Sequence, residues 1–372
     1  MKNSFGSSVS VTLFGESHGG AVGAVLDGLA PGLPVDRERI ARQLALRRPQ
    51  GNISTARVEE DRFEIVSGVF EGRTTGTPLC LLIPNENTRS RDYAATRALA
   101  RPGHADYTAY IKYHGYEDYR GGGHFSGRVT AALVAAGAVA IGALRNRGIA
   151  IGTHIARCAG VPDRAFSEDA LGEELELLNA LPFAVLDAAA GERMREAIAA
   201  AAAEGDSVGG VLETAVLGLP AGVGEPWFDT LEGLLAHGLF SIPGIKGVQF
   251  GAGFDLAEAR GSAFNDAFYA EGGAIKTRTN RNGGINGGIS NGMPILFRCA
   301  VKPTPSIFRP QETVNFQTGE NTVLALKGRH DPAIIHRARV VVDSVAAIAL
   351  CDALAQRWGT DWIGGGTCAA DC

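Results

Sequence analysis

Hydrophobic residues gather in many short segments of this chain and follow a helical repeat in only a few. The strand-like segments are rich in β-branched or apolar residues and are bounded by Gly, Pro or Asn, as β-strands between turns are. They are Ser8–Phe14, Val22–Leu29, Phe63–Phe70, Pro78–Ile83, Ile149–Ala156, Gly210–Leu217, Gly247–Phe254 and Pro294–Val301. The pattern therefore predicts large sheets whose strands are mostly hairpin-like.

Helical patterns lie between these strands. In the first, Asp36 is a candidate N-cap, and Ile40 and Leu44 share one face. In the last, Asp331 supplies a capping carboxylate and Pro332 follows in the first turn, where the missing N–H of proline has no cost. The predicted helices are Asp36–Arg48, Val129–Arg145, Arg193–Ala203 and Pro332–Arg357.

The mixture of hairpin-like strands and separate helices favours an α+β sandwich, in which helices pack against large sheets, over a doubly wound fold. The 372 residues are enough for one large domain or two ordinary ones. No repeat of fixed period, charged tail or Ser/Pro linker divides the sequence. One compact domain is therefore expected over residues 1–360, followed by a frayed tail at 361–372.

Charge and composition exclude several classes of protein. A formal net charge of -5 argues against general affinity for nucleic acid or acidic membranes. The first residues lack the pattern of a signal or transit peptide. The longest apolar run, Val129–Leu144, is shorter than the ~20 residues that cross a bilayer. The six cysteines are scattered without metal-site spacing, so a cytoplasmic protein with free thiols and no metal site is expected.

Glycine is unusually frequent, at 50 of 372 residues, against about 7% in average proteins. It gathers in polar loops that also carry Arg, Lys or His, so backbone N–H groups and cations can approach the same anion. The loops are GESHG at 15–19, RRPQG at 47–51, RPGHAD at 101–106, DYRGGGHFSGR at 118–128, RNGGINGGISNG at 281–292, KPTPS at 302–306 and GRHDP at 328–332. If several of them converge, they form a site for a small ligand with several negative charges.

Two further interpretations stay open on the residues alone. His18 or His104 would be the phosphorylated nucleophile of a phosphohydrolase or phosphomutase, since histidines among arginines suit phosphoryl transfer. Alternatively, the loops would belong to a non-catalytic protein that binds a flavin or another polyanion. The P-loop, dinucleotide-binding, zinc-protease and GxSxG motifs are absent from the sequence, so any cofactor is held by a less common arrangement.

Taken in order, these loops resemble those of the chorismate synthases. GESHG, RPGHADY, RGGGxxSxR, GGIxGGISNG, KPTxS and GRHDP occur in that family in the same order and at similar spacing, over Phe14 to about Arg357 of this chain. The resemblance implies a β-α-β sandwich that assembles into a homotetramer. It implies a 1,4-anti elimination that converts 5-enolpyruvylshikimate 3-phosphate to chorismate and phosphate and requires reduced FMN. This is the last common step of aromatic amino-acid biosynthesis.

The resemblance also assigns catalytic residues. His18 matches the histidine that protonates the reduced flavin, and His104 matches the one that protonates the departing phosphate, tasks that suit an imidazole. Asp331 matches an aspartate linked to deprotonation of the flavin, which precedes loss of the C6 hydrogen of the substrate. A helix cap at Asp331 would compete with that role, because the helix dipole lowers the pKa of a carboxyl group and makes it a weaker base.

Binding residues follow from the same resemblance. The carboxylates and phosphate of the substrate would contact Arg47, Arg48, Arg101, Ser126 and Arg128. Reduced FMN would contact His124, Phe125, Ser126, Gly244, Gly287, Lys302, Thr304, Ser306 and Arg329. An external flavin reductase is a further partner if the chain does not reduce FMN itself with NADPH.

The sequence departs from the commonest family pattern in two places. His124 and Phe125 stand where many members have Arg and Ser, so a flavin-facing arginine is replaced by histidine. After RRPQG the family often has a further substrate-side arginine. Here residues 52–54 intervene and Arg57 is the nearest arginine, so Arg57 is not assigned to the site.

Overall fold

Two five-stranded antiparallel sheets and the helices between them form the framework of this computed structural model, which describes residues 2–49, 51–54, 60–86, 96–326 and 330–365. The N-terminal strands are β1 (Ser4–Phe5), β2 (Ser10–Gly15), β3 (Ala21–Asp27), β4 (Glu64–Ser67), β5 (Val69–Phe70), β6 (Arg73–Thr74) and β7 (Leu79–Pro84). Five of them form the first sheet in the order β1-β2-β3-β7-β4, and β5 pairs with β6 in a small hairpin.

The second sheet is built from later strands in the order β11-β16-β10-β8-β9. In its centre β10 pairs with β16 from Gly210 opposite Val301 to Val216 opposite Ile295. The remaining strands form three separate hairpins. The strands are β8 (Ala150–Cys158), β9 (Val161–Pro162), β10 (Gly210–Leu217), β11 (Ile245–Phe250), β12 (Phe268–Glu271), β13 (Ala274–Thr277), β14 (Ile285–Asn286), β15 (Ile289–Ser290), β16 (Ile295–Val301), β17 (Gln311–Asn315) and β18 (Glu320–Leu324).

Two long helices, α3 and α8, form the centre of the helix layer. The helices are α1 (Arg37–Arg47), α2 (Asp106–Lys112), α3 (Thr130–Arg145), α4 (Leu171–Ala180), α5 (Ala188–Ala203), α6 (Leu231–Phe240), α7 (Gly261–Phe264), α8 (Ile335–Trp358) and α9 (Thr360–Ile363). α3 contacts β3 and β7 of the first sheet, and α8 contacts β8 and β10 of the second. The segment Gly127–Arg145 is long and apolar enough to span a membrane, but 94% of it is buried inside the structure, which is the position of a core helix.

Small residues let α3 and α8 approach closely. A Cβ atom at Gly137 of α3 would overlap the Cα and Cβ of Ser344 in α8. The Ala- and Gly-rich sequence of α3 is therefore explained by this crossing, where a larger side chain would separate the helices.

Gly137→Ala is expected to lower the free energy of unfolding by about 1–3 kcal/mol, because the added methyl group overpacks the helix crossing. Helix propensity alone would change stability in the opposite direction, by ~1 kcal/mol. Gly172→Ala in α4 is the matched control, since a Cβ there would meet only Leu217 Cδ2 at 3.7 Å. Urea unfolding followed by circular dichroism measures both variants. If Gly137→Ala stabilised the protein as the control does, the close crossing would be wrong.

The predicted α+β sandwich is confirmed, and most predicted elements lie where the sequence indicates. The strand Gly210–Leu217 coincides with β10. Asp36 caps α1 as predicted, and its carboxylate accepts the Arg39 N–H at 2.9 Å. The predicted strand Gly247–Phe254 extends too far at its C-terminal end. β11 stops at Phe250, because positive φ angles at Gly251 and Gly253 (54° and 57°) turn the chain.

Two predicted helices begin elsewhere. α5 begins five residues before Arg193, at Ala188, where Asp187 accepts the Ala189 N–H at 2.9 Å. α8 begins at Ile335 and has Ile334 as its N-cap residue, with no side-chain cap. The predicted helix cap at Asp331 is therefore wrong. The carbonyl of Pro332 instead accepts the Val208 N–H at 2.8 Å, so it is engaged outside the helix and α8 starts only at Ile335.

The end of the chain contains the short helix α9. Its Ile363 is fully buried, and the rings of Trp358 and Trp362 pack at an angle of 34° with centroids 4.7 Å apart. Within the predicted tail, residues 366–372 lie outside the described part of the chain.

Candidate active site

A cavity of about 870 Å³ opens between the first sheet, the start of α3, the end of α6 and the first turns of α8. Its wall combines apolar side chains, such as Leu133, Val341 and Ile348, with charged ones. Most of the predicted site residues border it: His104, Asp331, Arg47, Arg48, Ser126, Arg128, His124, Phe125, Gly244 and Lys302. The fold thus brings loops that are distant in sequence around one space.

A turn of three glycines brings the two predicted catalytic histidines close together. Gly121, Gly122 and Gly123 have φ angles of 59°, 83° and 53°, a region that favours glycine. A Cβ at Gly121 would overlap the ring of His18, and a Cβ at Gly122 would lie 3.2–3.3 Å from Cε1 and Nε2 of His104. Both imidazoles therefore pack against the backbone of this turn, and His18, which is buried, lies directly behind Gly121.

His104 is oriented by a carboxylate. Its Nδ1 lies 2.8 Å from Asp106 Oδ1, and Arg101 donates to the same carboxylate through Nε (2.7 Å) and Nη2 (2.6 Å). Burial opposes the ionisation of Asp106, but the hydrogen bonds and charges of Arg101 and His104 outweigh it and hold the pKa of this carboxyl well below its usual range. An ionised carboxylate only accepts, so Nδ1 donates and Nε2 is the atom on the Gly122 side.

Arg101 and Asp106 form an ion pair beside His104. Arg101 was predicted to bind substrate, yet its guanidinium is directed to Asp106 and it is not part of the cavity wall. Asp106 was part of the RPGHADY motif but received no role. The closeness of His104 and Asp106 in sequence, at the start of α2, is the signal that could have indicated the His104–Asp106 pair.

Arg47 and Arg128 share one buried carboxylate. Asp61 Oδ2 accepts from Arg47 Nη2 at 3.1 Å, and Asp61 Oδ1 accepts from Arg128 Nη1. Arg128 also donates to Asn85 Oδ1 at 2.9 Å and to the carbonyl of Pro84 at 3.0 Å. Burial opposes ionisation of Asp61, but the two guanidinium groups outweigh it, and its pKa is lowered. Sequence reasoning missed Asp61, which is 67 residues from Arg128.

Asp331 is joined to Arg337 in the first turn of α8. Arg337 Nη1 donates to Asp331 Oδ2 at 2.7 Å, and its Nε donates to the carbonyl of Arg47 at 2.8 Å. Arg337 borders the cavity and was not predicted. The only signal in the sequence was its place in the helix that follows GRHDP.

Two predicted flavin-binding residues, Lys302 and Gly244, lie together at the cavity. The Lys302 N–H donates to the carbonyl of Gly244 at 2.9 Å, and its Nζ donates to the carbonyl of Gly103. His124, which replaces the commoner arginine, donates from Nδ1 to the carbonyl of Gly15 at 2.8 Å. That bond joins the glycine turn to the GESHG loop, so His124 has a structural contact of its own.

The other predicted flavin-binding residues are not part of the cavity wall within the described chain. Thr304 and Ser306 belong to the KPTPS loop beside it. Gly287 lies in the turn between β14 and β15, whose Gly288 carbonyl accepts the Leu231 N–H at the start of α6. The cavity borders the opposite end of this ten-residue helix, about 15 Å away. Arg329 and Arg57 lie outside the described residues.

His104 and several cations border one cavity, and His18 lies behind the glycine turn beside it, an arrangement suited to an enzyme that binds a small polyanion and moves protons. The family model of chorismate synthase matches residues 9–355. Chorismate synthase of Dehalococcoides mccartyi is 46% identical over 361 residues, 96% of this chain and 98% of the relative. Chorismate synthase of Thermococcus kodakarensis is 45% identical over 352 residues, 95% and 97% of the two chains.

Comparison with solved structures indicates the same family. A crystal structure of chorismate synthase matches with a TM-score of 0.72 and 30% identity, over 96% of this chain and 94% of the other. The chain belongs to the chorismate synthase family, which are carbon–oxygen lyases that form chorismate in aromatic amino-acid biosynthesis. The family membership inferred from the loop motifs is therefore confirmed.

Proposed function

We propose that this protein eliminates phosphate from 5-enolpyruvylshikimate 3-phosphate in a 1,4-anti reaction, with reduced FMN as cofactor. The observation that carries the proposal is the packing of His18 and His104 on one glycine turn, beside a cavity bordered by Arg47, Arg48 and Arg128. The products are chorismate and inorganic phosphate. C6 loses a proton, and the electron pair of its C6–H bond forms a double bond between C1 and C6. The existing ring double bond moves from C1–C2 to C2–C3, and the C3–O bond breaks with its electron pair leaving on phosphate, so the product ring has two double bonds.

The charges of the cavity wall suit this substrate. It carries two carboxylates and a phosphate, and arginine offers a planar fork that binds such groups through two hydrogen bonds. Arg47 and Arg128 both contact Asp61 and border the cavity together with Arg48 and Lys302. We propose that these four cations attract the substrate anions.

His104 is the proposed acid for the leaving group. With the Nδ1 proton held by Asp106, the imidazolium form of His104 carries a second proton on Nε2. It donates that proton to the departing phosphate, which makes phosphate a better leaving group, and the ring remains neutral with its proton on Nδ1. His18 is the proposed second proton donor, and its Nδ1 lies 3.1 Å from Ser17 Oγ. Asp331, joined to Arg337 and no longer a helix cap, is the proposed carboxylate that accepts a proton.

Several features of the chain fit FMN. The cavity of about 870 Å³ is within the 300–1,000 Å³ typical of sites for such ligands. Thr304 Oγ1 is buried and lacks a hydrogen-bond partner among the described residues, as expected where a ligand supplies one. Lys302, Thr304 and Ser306 would hold the phosphate, and Gly244, Phe125 and the apolar wall would hold the ring. The assignment of Gly287 and Arg329 to the FMN site rests on the family resemblance alone. When bound, reduced FMN supplies electron density that assists cleavage without net redox change.

The remaining proposals follow from family membership. They are one catalytic domain over residues 1–360, a homotetramer in the cytoplasm, and reduction of the flavin either with NADPH by the chain itself or by an external reductase.

An anaerobic assay with and without reduced FMN tests the proposed function. We expect release of chorismate and phosphate in equal amounts, and only with reduced FMN. Phosphate release without chorismate would favour a phosphohydrolase. Flavin binding without either product would favour a non-catalytic flavin protein, and chorismate formation without flavin would contradict the cofactor assignment.

Lys302→Ala is expected to weaken FMN binding about tenfold, the equivalent of ~1.4 kcal/mol, because a cation next to the phosphate is lost. Quenching of flavin fluorescence during titration measures this change. Lys276→Ala is the control, since Lys276 pairs with Glu271 on the β12–β13 hairpin. Equal affinity in both variants would remove Lys302 from the flavin site.

A further inference from the structure

Asn85, the residue after β7, contacts two of the catalytic loops at once. Its Nδ2 donates to the carbonyls of Glu16 (2.9 Å) and Gly19 (3.0 Å), which flank His18. Its Oδ1 accepts from Arg128 Nε at 2.9 Å. The Asn85 N–H also donates to the carbonyl of Gly20 at 3.1 Å. One carboxamide therefore links the turn that carries His18 to an arginine of the cavity wall.

The orientation of this carboxamide follows from its partners. Carbonyl oxygens only accept hydrogen bonds and a guanidinium only donates them, so the Nδ2 atom must face the turn and the Oδ1 atom must face Arg128. Both N–H groups and the oxygen have partners. No other residue type offers two donors and one acceptor at this length, because Asp has no donors and Gln is one methylene longer.

We infer that Asn85 is a positioning residue, which fixes His18 relative to the anion site at Arg128. Its carboxamide hydrogen-bonds to neither imidazole and Asn85 does not border the cavity, and the inference rests on the roles proposed above for His18 and Arg128. A displacement of about 1 Å in a reacting group can lower turnover up to 10²-fold. A fixed separation between the proton donor His18 and the anion-binding Arg128 therefore favours turnover.

The His18 turn has a second attachment, so loss of Asn85 should loosen it without unfolding it. On the side of the glycine turn, the Ser17 N–H donates to the carbonyl of Gly123 at 3.1 Å, and Ser17 Oγ lies 3.1 Å from the carbonyls of Arg120 and Gly121. Without the Asn85 carboxamide, the turn keeps these bonds and the backbone bond from residue 85 to the carbonyl of Gly20, and it loses only the two bonds from Nδ2.

Two substitutions separate the two halves of the carboxamide. Asn85→Asp keeps the acceptor for Arg128 but loses both donors to the His18 turn. We expect kcat to fall 10- to 100-fold while KM for the enolpyruvyl substrate stays within about threefold. Asn85→Ala loses the acceptor as well, so KM should also rise. Asn179→Ala is the matched control, since Asn179 Nδ2 donates to the carbonyl of Ile151 at 3.0 Å, and its kcat should not change.

A double-mutant cycle shows whether Asn85 acts through His18. Adding Asn85→Asp to His18→Ala is expected to lower kcat by less than twofold further, because the group it positions is already gone. Multiplicative effects in the double variant, or an unchanged kcat in Asn85→Asp, would overturn the inference while leaving the proposed function intact. Absence of chorismate formation by the unsubstituted protein would overturn the proposed function, and the inference with it.

Discussion

His104→Ala is expected to lower kcat by about 10²–10⁴, the usual contribution of a positioned general acid, with little change in FMN affinity. The reason is the geometry at the glycine turn. Asp106 and Arg101 fix the ring from one side, and Gly122 lies against Nε2 on the other, so the side chain is held in one orientation. Steady-state kinetics with reduced FMN, together with flavin titration, measures both quantities.

Two further variants sharpen this test. His114→Asn is the control for loss of an exposed histidine, since Asn tolerates the positive φ of 57° at that position, and it should retain full turnover. Asp106→Asn removes the charge that orients the ring and should lower kcat less than His104→Ala does. Full turnover of His104→Ala would show that another group protonates the departing phosphate.

The sequence predicted the sandwich and the gathering of the loops, because these depend on local patterns. Short apolar segments between turn residues indicate strands, and each loop motif lies within a dozen residues. What it missed are contacts between distant segments. The partner of Arg128 is Asp61, and the residue that contacts the His18 turn is Asn85. Neither pairing has a fixed spacing, so only the folded chain brings them together.

The interpretation of Asp331 changed for the same reason. Asp-Pro before an apolar run is a strong local signal for a helix start, and it is correct to within a few residues. A tertiary hydrogen bond from Val208 to the carbonyl of Pro332 delays the helix to Ile335. The carboxylate is thereby released from capping and becomes part of the cavity wall with Arg337.

Asp61→Ala is expected to destabilise the protein by about 3–5 kcal/mol, because two buried guanidinium groups lose the carboxylate that they share. Here two guanidinium groups, those of Arg47 and Arg128, would face each other at 5% and 6% exposure. Urea unfolding at neutral pH measures the loss. Glu271→Ala is the control, because it breaks an exposed pair with Lys276, and such pairs contribute little.

Asp61→Asn tests whether the charge or the shape of this residue matters. Asparagine keeps the size and one acceptor, so near-normal stability in this variant would contradict the electrostatic account.

The pH dependence of stability supplies an independent check on Asp61. Because the folded pKa of Asp61 is lowered, its contribution is complete above the unfolded value of ~3.9 and is lost as the pH falls through the folded pKa. The stability difference between the unsubstituted protein and Asp61→Asn should therefore be full at pH 7 and narrow below about pH 4. A difference that stayed constant across this range would mean that the ionised carboxylate is not what holds Arg47 and Arg128 together.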